Sequence, residues 1–233
     1  MDIPRAVEAV RARIESARES AGAVDPVTLE LAVKTQTPEV CRAAAAALSG
    51  AGLPVVLGHN RVQEARATAA AIREVEGAEI HLIGPLQANK INQALASVDV
   101  IETVGSPDLV ARLDARATGF LPVFVQVNTS GEASKHGCSP EDAGELIDAI
   151  HMAPHLSLGG FMTIGLHSDD EVAVRRSYAG LRLIRDACAQ RLCVPESDLA
   201  LSMGMSHDLE WAIAEGATQV RVGTAVFGPR PIP

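Results

Sequence analysis

The chain has 233 residues, 47% of them hydrophobic and only 3% aromatic, with a formal net charge of −9 at pH 7. That length can bury a large core within one domain, and a core of Ala, Val, Leu and Ile fits an α/β protein, not a disulfide scaffold or a disordered chain. The acidic balance argues against nucleic acid or an anionic membrane surface as a partner, because both demand basic surface; a small anionic ligand stays open.

Residues 4–21 read as an amphipathic helix, with Val7, Val10 and Ile14 at helical spacing and arginines and glutamates on the other face. An alternation follows. The apolar run 29–33 precedes a helical stretch at 39–48, 53–57 precedes 62–75, and 79–83 precedes a helix near 89–95. The run 98–101 precedes 108–117, 121–127 precedes 140–150, and 156–161 precedes 171–190. Finally 199–202 precedes 207–215, and 219–222 closes the series. Short apolar strands alternating with helices imply a parallel sheet covered by helices. Eight such strands in this length point to a single-domain (β/α)8 TIM barrel with an N-terminal helix, one domain over residues 1–233. An open doubly wound sheet is the alternative. It is weakened because no G-x-G-x-x-G fingerprint follows the first strand.

The segment Met1-Asp2-Ile3-Pro4 leads into a charged helix and does not resemble a signal peptide. No apolar stretch approaches the ~20 residues that span a bilayer, so the expected compartment is the cytoplasm. Cys41, Cys138, Cys188 and Cys193 show no CxxC spacing, and the nearby His136 and Cys138 fit no common metal motif. No metal is expected.

In a barrel the carboxyl ends of the strands share one rim, where active sites are built. Lys34 stands at the end of the first strand and is one of only three lysines, with Lys90 and Lys135. Burial there would lower an amine pKa and free a nucleophile; a solvated lysine is the plainer reading. The segment Ser202-Met203-Gly204-Met205-Ser206-His207-Asp208 lies between strand seven and a helix that Ser206 is placed to begin. A helix start suits a phosphate, although Ser206 could be an ordinary N-cap. At the end of strand eight, Gly223 permits close approach to the backbone and Thr224 offers an N–H and a hydroxyl. The loops after strands seven and eight form the recurring barrel phosphate site. Arg221 alternates with Val220 and Val222 and could face the barrel interior. An amine and a phosphate site on one rim suggest pyridoxal 5'-phosphate (PLP); a phosphosugar aldolase would use the same two elements.

Six segments carry a specific likeness: Ala32-Val33-Lys34-Thr35-Gln36, the run from His81 to Lys90, Val125-Gln126-Val127-Asn128, Phe161-Met162-Thr163-Ile164-Gly165, the run from Leu201 to Ser206, and the run from Val220 to Gly228. In these the chain resembles the YggS/PROSC family of PLP homeostasis proteins, itself similar to the barrel domain of alanine racemase without the second, β-rich domain. The resemblance implies that PLP is the cofactor, carried by Lys34 as an internal aldimine. It implies that Ser206, Gly223 and Thr224 hold the phosphate and that Arg221 faces the pyridine nitrogen, with Asn60 at a polar position near the ring. A permanently charged arginine disfavours protonation of that nitrogen and makes the ring a weaker electron sink.

The implied function is a non-catalytic PLP carrier that limits free PLP and passes it to PLP-dependent apo-enzymes. The alternative is a single-domain amino-acid racemase, for which the only tyrosine, Tyr178, falls in a helix and is not placed as the second acid/base. A monomer is expected. One departure stands out: the family has an acidic residue where this chain has His59, read as a rim residue with no orienting partner in sequence.

Overall fold

The computed structural model describes residues 2–132 and 135–229. The expected domain of 1–233 therefore includes residues 1, 133–134 and 230–233, which lie outside the described residues. Eight parallel strands form a closed barrel in sequence order: β1 (Thr28–Ala32), β2 (Val56–His59), β3 (Glu79–Leu82), β4 (Val100–Val104), β5 (Leu121–Gln126), β6 (Leu156–Met162), β7 (Ala200–Met205) and β8 (Gln219–Val222). Closure runs through β8 and β1, with Leu29 opposite Val220 and Leu31 opposite Val222. The closed TIM barrel anticipated from the alternation is what the chain forms.

The helices are α1 (Ile3–Ala21), α2 (Pro38–Gly50), α3 (Val62–Ile72), α4 (Ile91–Leu95), α5 (Pro107–Asp114), α6 (Ala143–His151), α7 (Glu171–Leu192), α8 (Leu209–Ala214) and α9 (Thr224–Phe227). Local signals set their ends. Asp2 caps α1 by accepting from the Arg5 N–H at 3.1 Å, and Gly22 ends it at φ 64°, a left-handed C-cap that glycine adopts freely. The stripe Ile3, Val7, Val10, Ile14 and Ala17 is buried, and it packs α1 against α2, α8 and α9. Among the described residues one helical turn follows β8, and α1 completes the helical ring at the seam between β8 and β1.

Three strands differ clearly from the sequence reading; β4, read as 98–101, spans Val100–Val104 and so takes in Glu102. The apolar run at 53–57 begins outside the sheet. The Leu53 N–H closes α2 on the Leu48 carbonyl, and Pro54 has no N–H to give a ladder. Strand β2 therefore starts at Val56 and takes in His59. Strand β7 runs on to Met205 through Gly204, whose φ is 91°. A Cβ at Gly204 would stand 2.5 Å from Ala212 Cβ, so the glycine lets α8 approach the strand.

The main apolar core lies between barrel and helices. A second, smaller cluster of Val100, Phe124 and Met162 packs with Ala200. Val100 shares a strand face with Glu102, and Ala200 with Ser202. Hydrogen bonds join Glu102 on β4 to Ser202 on β7 and to Gln219 on β8, a crossing possible only through the barrel. This face is the interior, and it is half polar where bulky aliphatic layers are the rule.

A candidate cofactor cavity at the strand carboxyl ends

Lys34 follows β1 by two residues. Strand alternation places Glu30, Ala32 and Lys34 on the inward face, and the Val33 N–H holds this end to the Gly58 carbonyl at 3.0 Å. Thr35 then turns the chain at φ 62°, with its Oγ1 donating to the Lys34 carbonyl at 2.6 Å. A β-branched residue in the left-handed region is strained, and such strain gathers at functional sites.

A cavity of about 440 Å³ opens on this rim. Lys34, Asn60, Ser206, Arg221, Gly223 and Thr224 all line it, and His167, His207 and Phe227 add to its wall. Six positions read from four separate strand ends thus share one space. Asn60 Oδ1 is buried there with no hydrogen-bond partner, an acceptor that a ligand hydroxyl would satisfy.

Ser206 does not begin a helix as the sequence suggested. Helix α8 starts three residues later, at Leu209, with Asp208 in the N-cap position. Ser206 instead turns towards the next loop, where its Oγ accepts from the Ala225 N–H at 3.4 Å. The Arg13 guanidinium of α1 holds the Ser206 carbonyl at 3.1 Å and is itself paired with both oxygens of Glu210 at 2.8 and 3.0 Å. The helix start that faces the cavity is α9, a single turn too short to read from the sequence.

Arg221 is almost fully buried and forms part of the cavity floor. Its Nη1 donates to Ser202 Oγ at 2.6 Å and its Nη2 to the Thr163 carbonyl at 2.7 Å. Beneath it lies a network that the sequence reading missed. Ser202 Oγ lies 2.6 Å from Glu102 Oε2. Glu102 Oε1 accepts from Gln219 Nε2 at 2.6 Å and sits 2.7 Å from His81 Nδ1. Gln219 also donates to Glu30 Oε2 at 2.8 Å. The missed signal was a polar residue flanked by apolar neighbours on a strand, as in Leu29-Glu30-Leu31 and Ile80-His81-Leu82.

Environment pushes the two carboxyls apart. Burial first, then the neighbouring Glu102, raise the Glu30 pKa to about 8. Burial works the same way on Glu102, but the hydrogen bond and charge of His81, with Arg221 behind them, hold it below the usual carboxylate range. Burial opposes a charged His81, yet its bonds to Glu102 and Glu79 outweigh that and raise it to about 10. The cluster thus sets a protonated Glu30 and an ionised Glu102 beside His81 and Arg221, and Glu79, 3.4 Å from His81 Nε2, supplies the second negative charge.

Two further residues depart from expectation. His59 is not on the rim: it is fully buried under α3, 3.0 Å from Thr68 Oγ1 through Nε2, and burial depresses its pKa to about 4. Thr68 is the orienting partner that the sequence did not supply. Tyr178 is likewise buried outside the cavity wall, its hydroxyl donating to Asp208 Oδ2 at 2.7 Å. Asp208 Oδ1 in turn accepts the Met205 N–H at 2.7 Å, so the tyrosine braces the loop after β7. Burial first, then Asp208, raise its pKa.

Fold and rim define a class. The family model described as alanine racemase, N-terminal domain, matches residues 6–231. A pyridoxal phosphate homeostasis protein of Pseudomonas aeruginosa is 39% identical over 225 residues, covering 95% of this chain and 93% of the relative. Among solved structures, an unknown protein from Bifidobacterium adolescentis is 39% identical, with a TM-score of 0.88 over 97% of this chain and 94% of its own. PipY of Synechococcus elongatus PCC7942, solved with PLP bound, is 31% identical, with a TM-score of 0.75 over 92% of this chain and 100% of its own. The chain belongs to the pyridoxal phosphate homeostasis protein family, within the wider class of alanine racemase N-terminal domains. Among the described residues no helix is long and apolar enough to cross a membrane.

Proposed function

We propose that this protein binds PLP in the rim cavity, attached through the Lys34 amine, and serves PLP homeostasis as a carrier and not as an enzyme. One observation carries the reading: Lys34 lines the same 440 Å³ space as Ser206, Gly223 and Thr224. The donor set fits the cofactor. The first N–H groups of α9 and the Ser206 and Thr224 hydroxyls suit a phosphate, Arg221 suits the ring nitrogen, and Asn60 suits the ring hydroxyl. When bound, PLP supplies an aldehyde that condenses with amines and a ring that withdraws electrons.

The protein's own groups favour holding over turnover. The Arg221 guanidinium keeps its charge and gives the ring nitrogen no proton. Tyr178 is committed to Asp208 and does not reach the cavity. We extend the proposal to a cytoplasmic monomer that passes PLP to apo-enzymes, in keeping with the exposed Thr224 and Ala225 at the cavity mouth.

Borohydride reduction of the PLP-loaded protein followed by peptide mapping tests the attachment. A pyridoxyl adduct on Lys34, lost in Lys34→Ala, is the expected result; an adduct on Lys90 or Lys135 alone overturns it. Amino acids incubated with the protein in heavy water should keep their Cα hydrogen, and robust exchange would return the racemase reading. Transfer is checked by mixing the loaded protein with a PLP-free transaminase and following recovery of its activity beside a free-PLP control.

A further inference from the structure

The donor order beneath Arg221 is fixed by chemistry. A guanidinium only donates, so Ser202 Oγ must accept from Arg221 Nη1 at 2.6 Å. An ionised carboxylate only accepts, so the single Ser202 proton goes to Glu102 Oε2, also at 2.6 Å. The chain therefore runs one way, from Arg221 through Ser202 to Glu102, away from the cavity. The other arm of the fork is tied to the Thr163 carbonyl at 2.7 Å. With both arms bound, the guanidinium plane is set by Ser202 on β7 and by Thr163, the residue after β6, and not by the arginine's own rotamers.

The far end is anchored as firmly. Glu102 is fully buried and its remaining oxygen meets both His81 and Gln219. Ser202 is buried as well. Neither Ser202 nor Glu102 lines the cavity, whereas Arg221 does. Any effect of this pair on a ligand must pass through the arginine.

We propose that Ser202 and Glu102 are positioning residues that aim Arg221 at the nitrogen edge of the bound ring and supply its counter-charge through the serine hydroxyl. The proposal rests on the reading that PLP occupies the cavity. Without Ser202 Oγ, one buried guanidinium arm loses its acceptor, and the side chain is free to turn its charge elsewhere. A hydrogen bond to a charged group is at stake, so PLP binding should weaken about tenfold. The visible absorption maximum of bound PLP should move as well, because it reports the charge facing the ring.

The test compares Ser202→Ala with Ser202→Thr, which keeps the hydroxyl. Each variant is titrated with PLP to give Kd, its bound-cofactor spectrum is recorded, and the melting temperature of the PLP-free protein is measured. The expected outcome is an alanine variant that melts below the parent, because Arg221 and Glu102 each lose a buried partner, yet still folds and forms the Lys34 adduct. It should bind PLP about tenfold more weakly and show a moved absorption maximum, and the threonine variant should restore both. An alanine variant with parental Kd and spectrum overturns the proposal. Equal losses in alanine and threonine variants, following the loss in melting temperature, also overturn it, since that pattern is packing alone. If Ser202→Ala does not fold, Ser202→Thr against the isosteric Ser202→Val reads the hydroxyl by the same measurements. A parent protein with no adduct on Lys34 would instead refute the PLP reading itself.

Discussion

Gly58 on β2 leaves the space that Glu30 on β1 fills. A Cβ at position 58 would overlap Glu30 Oε1 and stand 2.8 Å from Ile83 Cδ1. Glu30 cannot swing aside cheaply, because it is fully buried and its other oxygen is held by Gln219 at 2.8 Å. Gly58→Ala is therefore an overpacking change inside the barrel and should cost about 1–3 kcal/mol. At roughly 2–4 °C per kcal/mol for a chain of this size, thermal unfolding should show it clearly. An unchanged melting temperature would mean that the interior is looser than these contacts indicate.

Thr35 makes the opposite prediction. Its φ of 62° is costly for a β-branched side chain, by about 1–2 kcal/mol, while glycine brings an entropic cost of about 0.5–1 kcal/mol. Thr35→Gly should thus gain between about 0 and about 1.5 kcal/mol, seen as a rise of up to roughly 6 °C in melting temperature. The same change removes the Oγ1 bond to the Lys34 carbonyl, so PLP titration should show weaker binding. A protein that melts lower would show that Thr35 is not strained in the folded state.

The contrast between these two sites shows what the sequence could carry. The barrel was legible because each strand is a short apolar run followed by a helix, a pattern written in every unit. Lys34, Arg221 and Gly223 were legible because each breaks that pattern at a strand end. Glu30, His81 and Gln219 break it too, but inside strands, where a polar residue reads as one facing solvent, and Glu102 falls just past the run 98–101 read as the fourth strand. Only closure of the sheet turns that face into an interior. His59 was misplaced for a related reason: Pro54 shifts β2 by three residues, and the burial of His59 follows from the shift. Ser206 was assigned the wrong helix because α9 spans only Thr224–Phe227, too short for any periodicity.

His59 also sets a pH dependence. Burial lowers its folded pKa to about 4, against roughly 6.5 in the unfolded chain. Between those values the unfolded chain binds more protons, so the stability His59 contributes is present above 6.5 and lost as pH falls towards 4. Glu30 slopes the other way across part of this window, so the comparison must be between proteins. The parent should lose more melting temperature than His59→Gln on going from pH 6.5 to pH 4.5. Parallel curves would place the imidazole in contact with water.

The two buried carboxyls should respond unequally to the same substitution. Glu30 is held protonated by burial, its pKa raised to about 8, so Glu30→Gln replaces one neutral group with another and should change stability at pH 7 by less than about 1.5 kcal/mol. The sign of its pH effect follows from the raised value. In the parent, the stability linked to Glu30 is present below the ordinary carboxylate pKa of roughly 4.3 and is lost as pH rises through about 8. Glu30→Gln should remove that fall between pH 5 and 8, leaving the decline from His81, whose raised pKa of about 10 continues it to higher pH. Glu102 is ionised, and it is the shared counter-ion of His81 and, through Ser202, of Arg221. Glu102→Gln removes the counter-ion of the buried Arg221 and much of what keeps His81 charged, which typically costs about 3–5 kcal/mol. Chemical denaturation at pH 7 separates the two cases. Equal losses at both positions would mean that Glu30 and Glu102 share one proton evenly, in place of the division that burial and His81 impose.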